Sequence, residues 1–148
     1  MKEDQFLVTL SGGPDWALIL WKWDKMEPVA MTKIDPIGPK DGEIPHISFS
    51  PLDEYHIIVT GGGLYKFFSF KTNDKKFVEL HSQINNKSNP RISDKITCHT
   101  WSSDSRLIVC TAEGDVIICH ESGEFKSVLP DSPNKGEKIH IVSVAPWS

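Results

Sequence analysis

The sequence predicts an all-β protein built from repeated, four-stranded antiparallel units. Three observations carry that expectation. Short runs rich in Val, Ile, Phe, Thr and Trp follow one another along the chain, separated by Gly, Pro, Asp, Asn and Ser. No stretch of helical length shows apolar residues at spacings of three and four with a cap before it. Similar strand–turn segments recur about every 50 residues, the mark of a repeat architecture.

The runs are taken in chain order. Residues 6–10 and 17–21 are β-type and flank Ser11-Gly12-Gly13-Pro14-Asp15, a turn sequence; residues 29–34 make a third strand. The next group holds 46–49, 57–60, 64–70 and 77–81, with Gly61-Gly62-Gly63 between its second and third members. Glycine supplies the positive φ that tight hairpins require. The last group holds 96–101, 107–111, 116–120 and 125–128, with Glu113-Gly114-Asp115 in the equivalent turn, and 139–144 would open another unit. With the strands of each unit lettered a to d, the chain reads b-c-d, a-b-c-d, a-b-c-d, a. The repeats set this register. Ile57-Ile58-Val59-Thr60-Gly61 resembles Leu107-Ile108-Val109-Cys110-Thr111, and Phe6-Leu7-Val8-Thr9-Leu10 resembles both. Ile47-Ser48-Phe49-Ser50-Pro51 likewise matches Val142-Ser143-Val144-Ala145-Pro146, with an intermediate copy at 97–102 that has Trp101 in the place of Phe49.

Four-stranded meanders repeated at this length point to β-propeller blades. The expected architecture is one domain, 1–148, holding about three blade equivalents of an incomplete WD40-type propeller. Its units are roughly 5–34, 44–81 and 95–129, with the opening strand of a further blade at 138–146. Trp21 holds the tryptophan position of the c strand, with Lys22 where Asp is usual; Phe70 and His120 take that place in the next two units. The Gly-His that opens a strong blade is missing, so the full Trp/Ser/His/Asp hydrogen-bonded set is not expected. A kelch propeller, with its longer period, is the second choice of fold; its glycine pair does not recur in the third unit.

Length and composition bound the function. The 148 residues suit one domain, and 39% hydrophobic with 24% charged residues is ordinary for a globular chain. A net charge of −4 argues against nucleic acid as the main partner. No apolar run approaches the roughly 20 residues that span a bilayer, and no signal-peptide h-region follows the polar start, so a cytoplasmic, membrane-free protein is expected. Asn86-Lys87-Ser88 then reads as a chance glycosylation match.

Chemical sites are sparse. Cys98-His99, Cys110 and Cys119-His120 invite a zinc reading, but adjacent strand residues face opposite ways. The hairpin can bring Cys110 and Cys119 together, yet four converging ligands are not evident, and buried thiols are the expectation. Gly61-Gly62-Gly63 lacks the Gly-Lys-Ser/Thr of a phosphate loop. The six histidines accompany no nucleophile motif. No catalytic residue, cofactor or metal is expected, and the chain reads as a non-enzyme. Lys71, Lys75 and Lys76 read as a solvated strand edge.

Protein-binding candidates are Trp16 and Trp23, together with Lys40, Asp41 and Arg91 on the polar loops between strands. Tryptophan anchors are common in interfaces, and inter-blade core is the competing role for both tryptophans. The bare flanks of an incomplete wheel also favour self-association through unpaired edges.

The segment from Leu7 to Trp21, with its Ser-Gly-Gly-Pro-Asp-Trp turn, resembles the WD-repeat cilia- and flagella-associated proteins, as do Phe49-Ser50-Pro51, Val59-Thr60-Gly61-Gly62-Gly63-Leu64 and His99-Thr100-Trp101. The resemblance covers most of the chain. It implies a WD40 scaffold of the ciliary or flagellar axoneme, a cytoskeletal structure, with axonemal or dynein-arm components as partners and a part in placing dynein arms or regulating motility. Propellers close with about 4–8 blades, so three blade equivalents are expected to be a fragment or short form of a larger propeller, or to be completed by self-association or by another chain. The long coiled coil that often follows the propeller in the family has no counterpart in this sequence. A general cytoplasmic WD40 adaptor is the alternative.

Overall fold

The computed structural model describes residues 6–34, 45–80, 96–129 and 144. Eleven strands and no helix occur among them. The strands are β1 (Phe6–Leu10), β2 (Ala17–Lys22), β3 (Glu27–Lys33), β4 (His46–Phe49), β5 (His56–Gly61), β6 (Leu64–Lys71), β7 (Lys76–Leu80), β8 (Ile96–Trp101), β9 (Leu107–Thr111), β10 (Val116–Cys119) and β11 (Phe125–Val128). They form three antiparallel sheets, β1-β2-β3, β4-β5-β6-β7 and β8-β9-β10-β11. Each sheet is a meander, and the grouping of three, four and four strands is the one the repeats predict. The sheets are open; the described residues do not close a ring. The proposed strand at 138–146 lies outside the described residues except for Val144, as do the loops at 35–43, 84–94 and 130–138.

Local chemistry sets each hairpin. The Ser11 N–H donates to the Ala17 carbonyl at 2.9 Å, and the Ser11 hydroxyl accepts from the Ala17 N–H at 2.9 Å. Trp16 closes this turn at φ 43°, and its carbonyl accepts from Ile34 N–H at 3.0 Å, fastening the turn to the end of β3. Between β5 and β6, Gly61, Gly62 and Gly63 have φ of 115°, 59° and 81°, a run of left-handed backbone suited to glycine alone. Between β8 and β9, the Ser102 hydroxyl accepts from Arg106 N–H and bonds the Asp104 carboxylate, which also pairs with the Arg106 guanidinium.

The second sheet lies between the other two, and side-chain alternation decides what each residue meets. Ile57 and Val59 of β5, with Phe68 and Phe70 of β6, share a buried core with Leu18, Leu20 and Ala30 of the first sheet. Ile58 and Phe67 point the other way, into a core with Ile96, Leu107, Val109 and Ile117 of the third. This is why residues 57–60 are apolar or small without alternation: both faces are covered. Phe6, Tyr55, Phe70 and Phe77 extend the first core in edge-on and tilted ring contacts 5.9–6.2 Å apart.

In the turn between β10 and β11 sits Gly123, at φ 83°. A Cβ there would lie 2.4 Å from Cζ of Phe67, across the gap between the second and third sheets. Gly123→Ala therefore adds both backbone strain and overlap with a buried ring. It should lower unfolding free energy by about 2 kcal/mol, measured by urea denaturation.

Candidate functional site

The junction of the second and third sheets carries the most concentrated chemistry of the described residues. His99, on β8, is only 7% exposed and faces the second sheet. Its Nε2 lies 2.7 Å from Oγ of Ser48 on β4, and its Nδ1 lies 2.6 Å from Oγ1 of Thr60 on β5. The indole N–H of Trp101, two residues along β8, donates to the same Ser48 hydroxyl at 2.9 Å. A neutral imidazole has one donor and one acceptor nitrogen, and either hydroxyl can fill either role, so both tautomers satisfy the knot. Burial, with His46 adding like charge, lowers the His99 pKa to about 4, so the ring is neutral near pH 7.

A serine beside a histidine invites comparison with hydrolase chemistry. The second ring nitrogen here meets a threonine hydroxyl where a triad places a carboxylate. A general base works best with a pKa near the operating pH, and this one lies far below it. The knot ties β8 to β4 and β5 and holds Trp101 beside Ser48.

Trp101 forms part of the wall of a cleft of about 460 Å³ between these sheets. Ile58, Phe67 and Leu80 supply further apolar lining, while Glu121 and Glu124 come from the turn between β10 and β11. Ser50, buried at the end of β4, donates its hydroxyl to Oε1 of Glu121 at 3.1 Å. His56 also lines the cleft, with Nε2 3.5 Å from Oδ2 of Asp53. Beside the apolar lining, the Tyr65 hydroxyl donates to the Gly123 carbonyl at 3.0 Å, which holds the acidic turn in place. Burial pushes the Tyr65 pKa upward, with Cys119 adding to it, so the phenol keeps its proton.

The sequence-derived candidates sit elsewhere. Trp16 is half-buried against the core of the first and second sheets, and Trp23 is 57% exposed in the turn between β2 and β3. Neither lines the cleft. Lys40, Asp41 and Arg91 lie outside the described residues. Trp21, in the expected tryptophan position, donates its indole N–H to the Thr9 hydroxyl at 2.8 Å. The cysteines correct one expectation. The β9–β10 register sets Cys110 opposite Val116, so Cys110 and Cys119 do not pair across that hairpin; Cys110 lies opposite Cys98 on β8. All three are free and buried, and burial raises the pKa of Cys110 and Cys119. Among the described residues no three His, Cys, Asp or Glu side chains converge to hold a metal ion.

No family model matches the chain. Similar curated proteins include cilia- and flagella-associated protein 57 A of Tetrahymena thermophila, 30% identical over 153 aligned positions, which cover 99% of this chain and 11% of that protein. They also include cilia- and flagella-associated protein 57 of Mus musculus, 29% identical over 143 positions, covering 95% of this chain and 10% of that protein. The chain therefore spans about a tenth of the length of these relatives. It resembles cilia- and flagella-associated protein 57, from a ciliate and from a mammal, along nearly its whole length.

Proposed function

We propose that this chain is a non-enzymatic docking scaffold of the cilium or flagellum. In this reading its three sheets are consecutive blades of a WD40-type propeller. They hold surface loops and the cleft beside Trp101 rigid for axonemal partners, in the placement of dynein arms or the regulation of motility. The observation that carries the reading is the similarity over nearly the whole chain to two proteins named as cilia- and flagella-associated. The stacking of meander sheets in chain order supports a repeat scaffold, because each sheet covers its neighbour's apolar face. The Ser48–His99 pair is then a structural clamp.

The test is retention on axonemes. The tagged chain, expressed in ciliated cells, should remain with the axoneme when detergent removes the membrane. Complete release into the soluble fraction would contradict the ciliary reading and favour a general cytoplasmic adaptor.

A further inference from the structure

We propose that the cleft between the second and third sheets receives an arginine side chain projecting from a protein partner. The inference rests on the docking reading and assigns a partner chemistry to one place on the scaffold.

The chemistry of the lining selects the occupant. Ile58, Phe67, Leu80 and Trp101 offer apolar contact, whereas Glu121 and Glu124 bring two carboxylates from one turn. Neither carboxylate forms an ion pair with a described cation, and the bond from Ser50 uses one oxygen of Glu121. The nearby histidine, His56, faces its own acidic partner, Asp53, so it does not neutralise the pair. An occupant must therefore combine an apolar stem with a cationic head. An arginine side chain does so: its methylenes cover apolar surface, and its planar guanidinium bonds carboxylates in a fork and stacks on aromatic rings. The volume of about 460 Å³ has room for one long side chain and its flanking backbone, within the roughly 300–1,000 Å³ usual for ligand pockets. The lining is also held in place. Trp101 is fixed through Ser48 and His99, and the acidic turn through Tyr65 and Ser50. A site held in its binding geometry loses less entropy on binding. Acidic or phosphate-bearing partners are disfavoured by the two carboxylates.

The experiment titrates isotope-labelled full chain with the peptide acetyl-Gly-Gly-Arg-Gly-Gly-amide and follows amide and indole shifts by NMR. Saturable shifts are expected at Trp101, at residues 50–58 and at residues 121–124. The same peptide with citrulline, which keeps the shape and loses the charge, should bind at least tenfold more weakly. The double variant Glu121→Gln/Glu124→Gln should weaken the arginine peptide at least tenfold; both positions lie in a turn at the surface, so the fold should persist, which its unchanged dispersion elsewhere would verify. Equal binding of the citrulline peptide, shifts centred away from the cleft, or full affinity in the double variant would each overturn the proposal. Tighter binding of spermidine than of the peptide would overturn the protein source.

Axoneme retention separates this inference from the reading beneath it. Retention that the double variant keeps in full overturns the cleft as the docking point and leaves the ciliary scaffold standing. Release of the parent chain, with saturable arginine binding intact, counts against the ciliary reading and supports the cleft.

Discussion

Replacing Phe68 with alanine should lower the unfolding free energy of the chain by about 3–5 kcal/mol. Phe68 is among the largest fully buried side chains and stands at the centre of β6. Its ring meets Phe77 edge-on at 6.3 Å and belongs to the core shared by the first and second sheets. Alanine removes that contact and leaves a cavity. Two hydrogen-bonded sheets line the space, so the backbone has little freedom to collapse into it. Phe68→Leu keeps most of the apolar volume and should lose substantially less. Urea denaturation of the three proteins measures the series. A loss below about 1 kcal/mol for alanine would mean that these sheets are not packed as described.

Acid should destabilise the chain through His99, by about 3 kcal/mol between pH 7 and pH 4 at 1.36 kcal/mol per pKa unit. The folded pKa is lowered from the ordinary 6.5 to about 4, first by burial and then by His46. Between those two values the unfolded chain binds a proton that the folded chain does not. The stabilisation is therefore complete above about pH 6.5, falls as the pH drops towards 4, and is constant below that. Asp104 moves the same way at lower pH. Its pKa is lowered by the Ser102 hydroxyl and by Arg106, so its share appears only as the carboxylate protonates. His99→Gln separates the two effects. The variant should be less stable than the parent at pH 7, because the knot with Ser48 and Thr60 is altered. Its stability should also fall less steeply between pH 7 and pH 4. Identical slopes for parent and variant would remove His99 as the source.

The strands were legible because each run has a local cause. Residues 57–59 and 107–110 form continuous apolar runs, and Gly61-Gly62-Gly63 marks a hairpin that other residues would strain. Strand ends were less legible. β3 starts at Glu27 and includes Pro28, ahead of the apolar run that predicts it; a residue without an N–H is tolerated because β3 is an edge strand. Met26, Lys75 and Ser105 adopt positive φ in their turns, and nothing in those residue types announces it.

The site was less legible than the fold. The cleft gathers residues from 50 to 124, and only the stacking of two sheets makes them neighbours. One sign was present in the repeat itself. His99 lies opposite Val109 as Ile47 lies opposite Val59, so a histidine stands where the preceding unit has an isoleucine. A polar residue in an apolar repeat position needs partners, but Ser48 and Thr60 could be named only once the sheets were placed. Tryptophan content drew attention to Trp16 and Trp23 on the first sheet. The tryptophan at the cleft is Trp101, which the repeat aligns with Phe49 and which nothing in its own segment marks as a binding residue.

The stacked middle sheet underlies both the scaffold and the cleft, and methyl–methyl nuclear Overhauser effects test it most directly. Ile57 and Val59 should give cross-peaks to Leu18 and Leu20 of the first sheet, and Ile58 to Leu107 and Val109 of the third. Cross-peaks from Ile57 and Ile58 to the same neighbouring sheet, or none between sheets, would contradict the stacking.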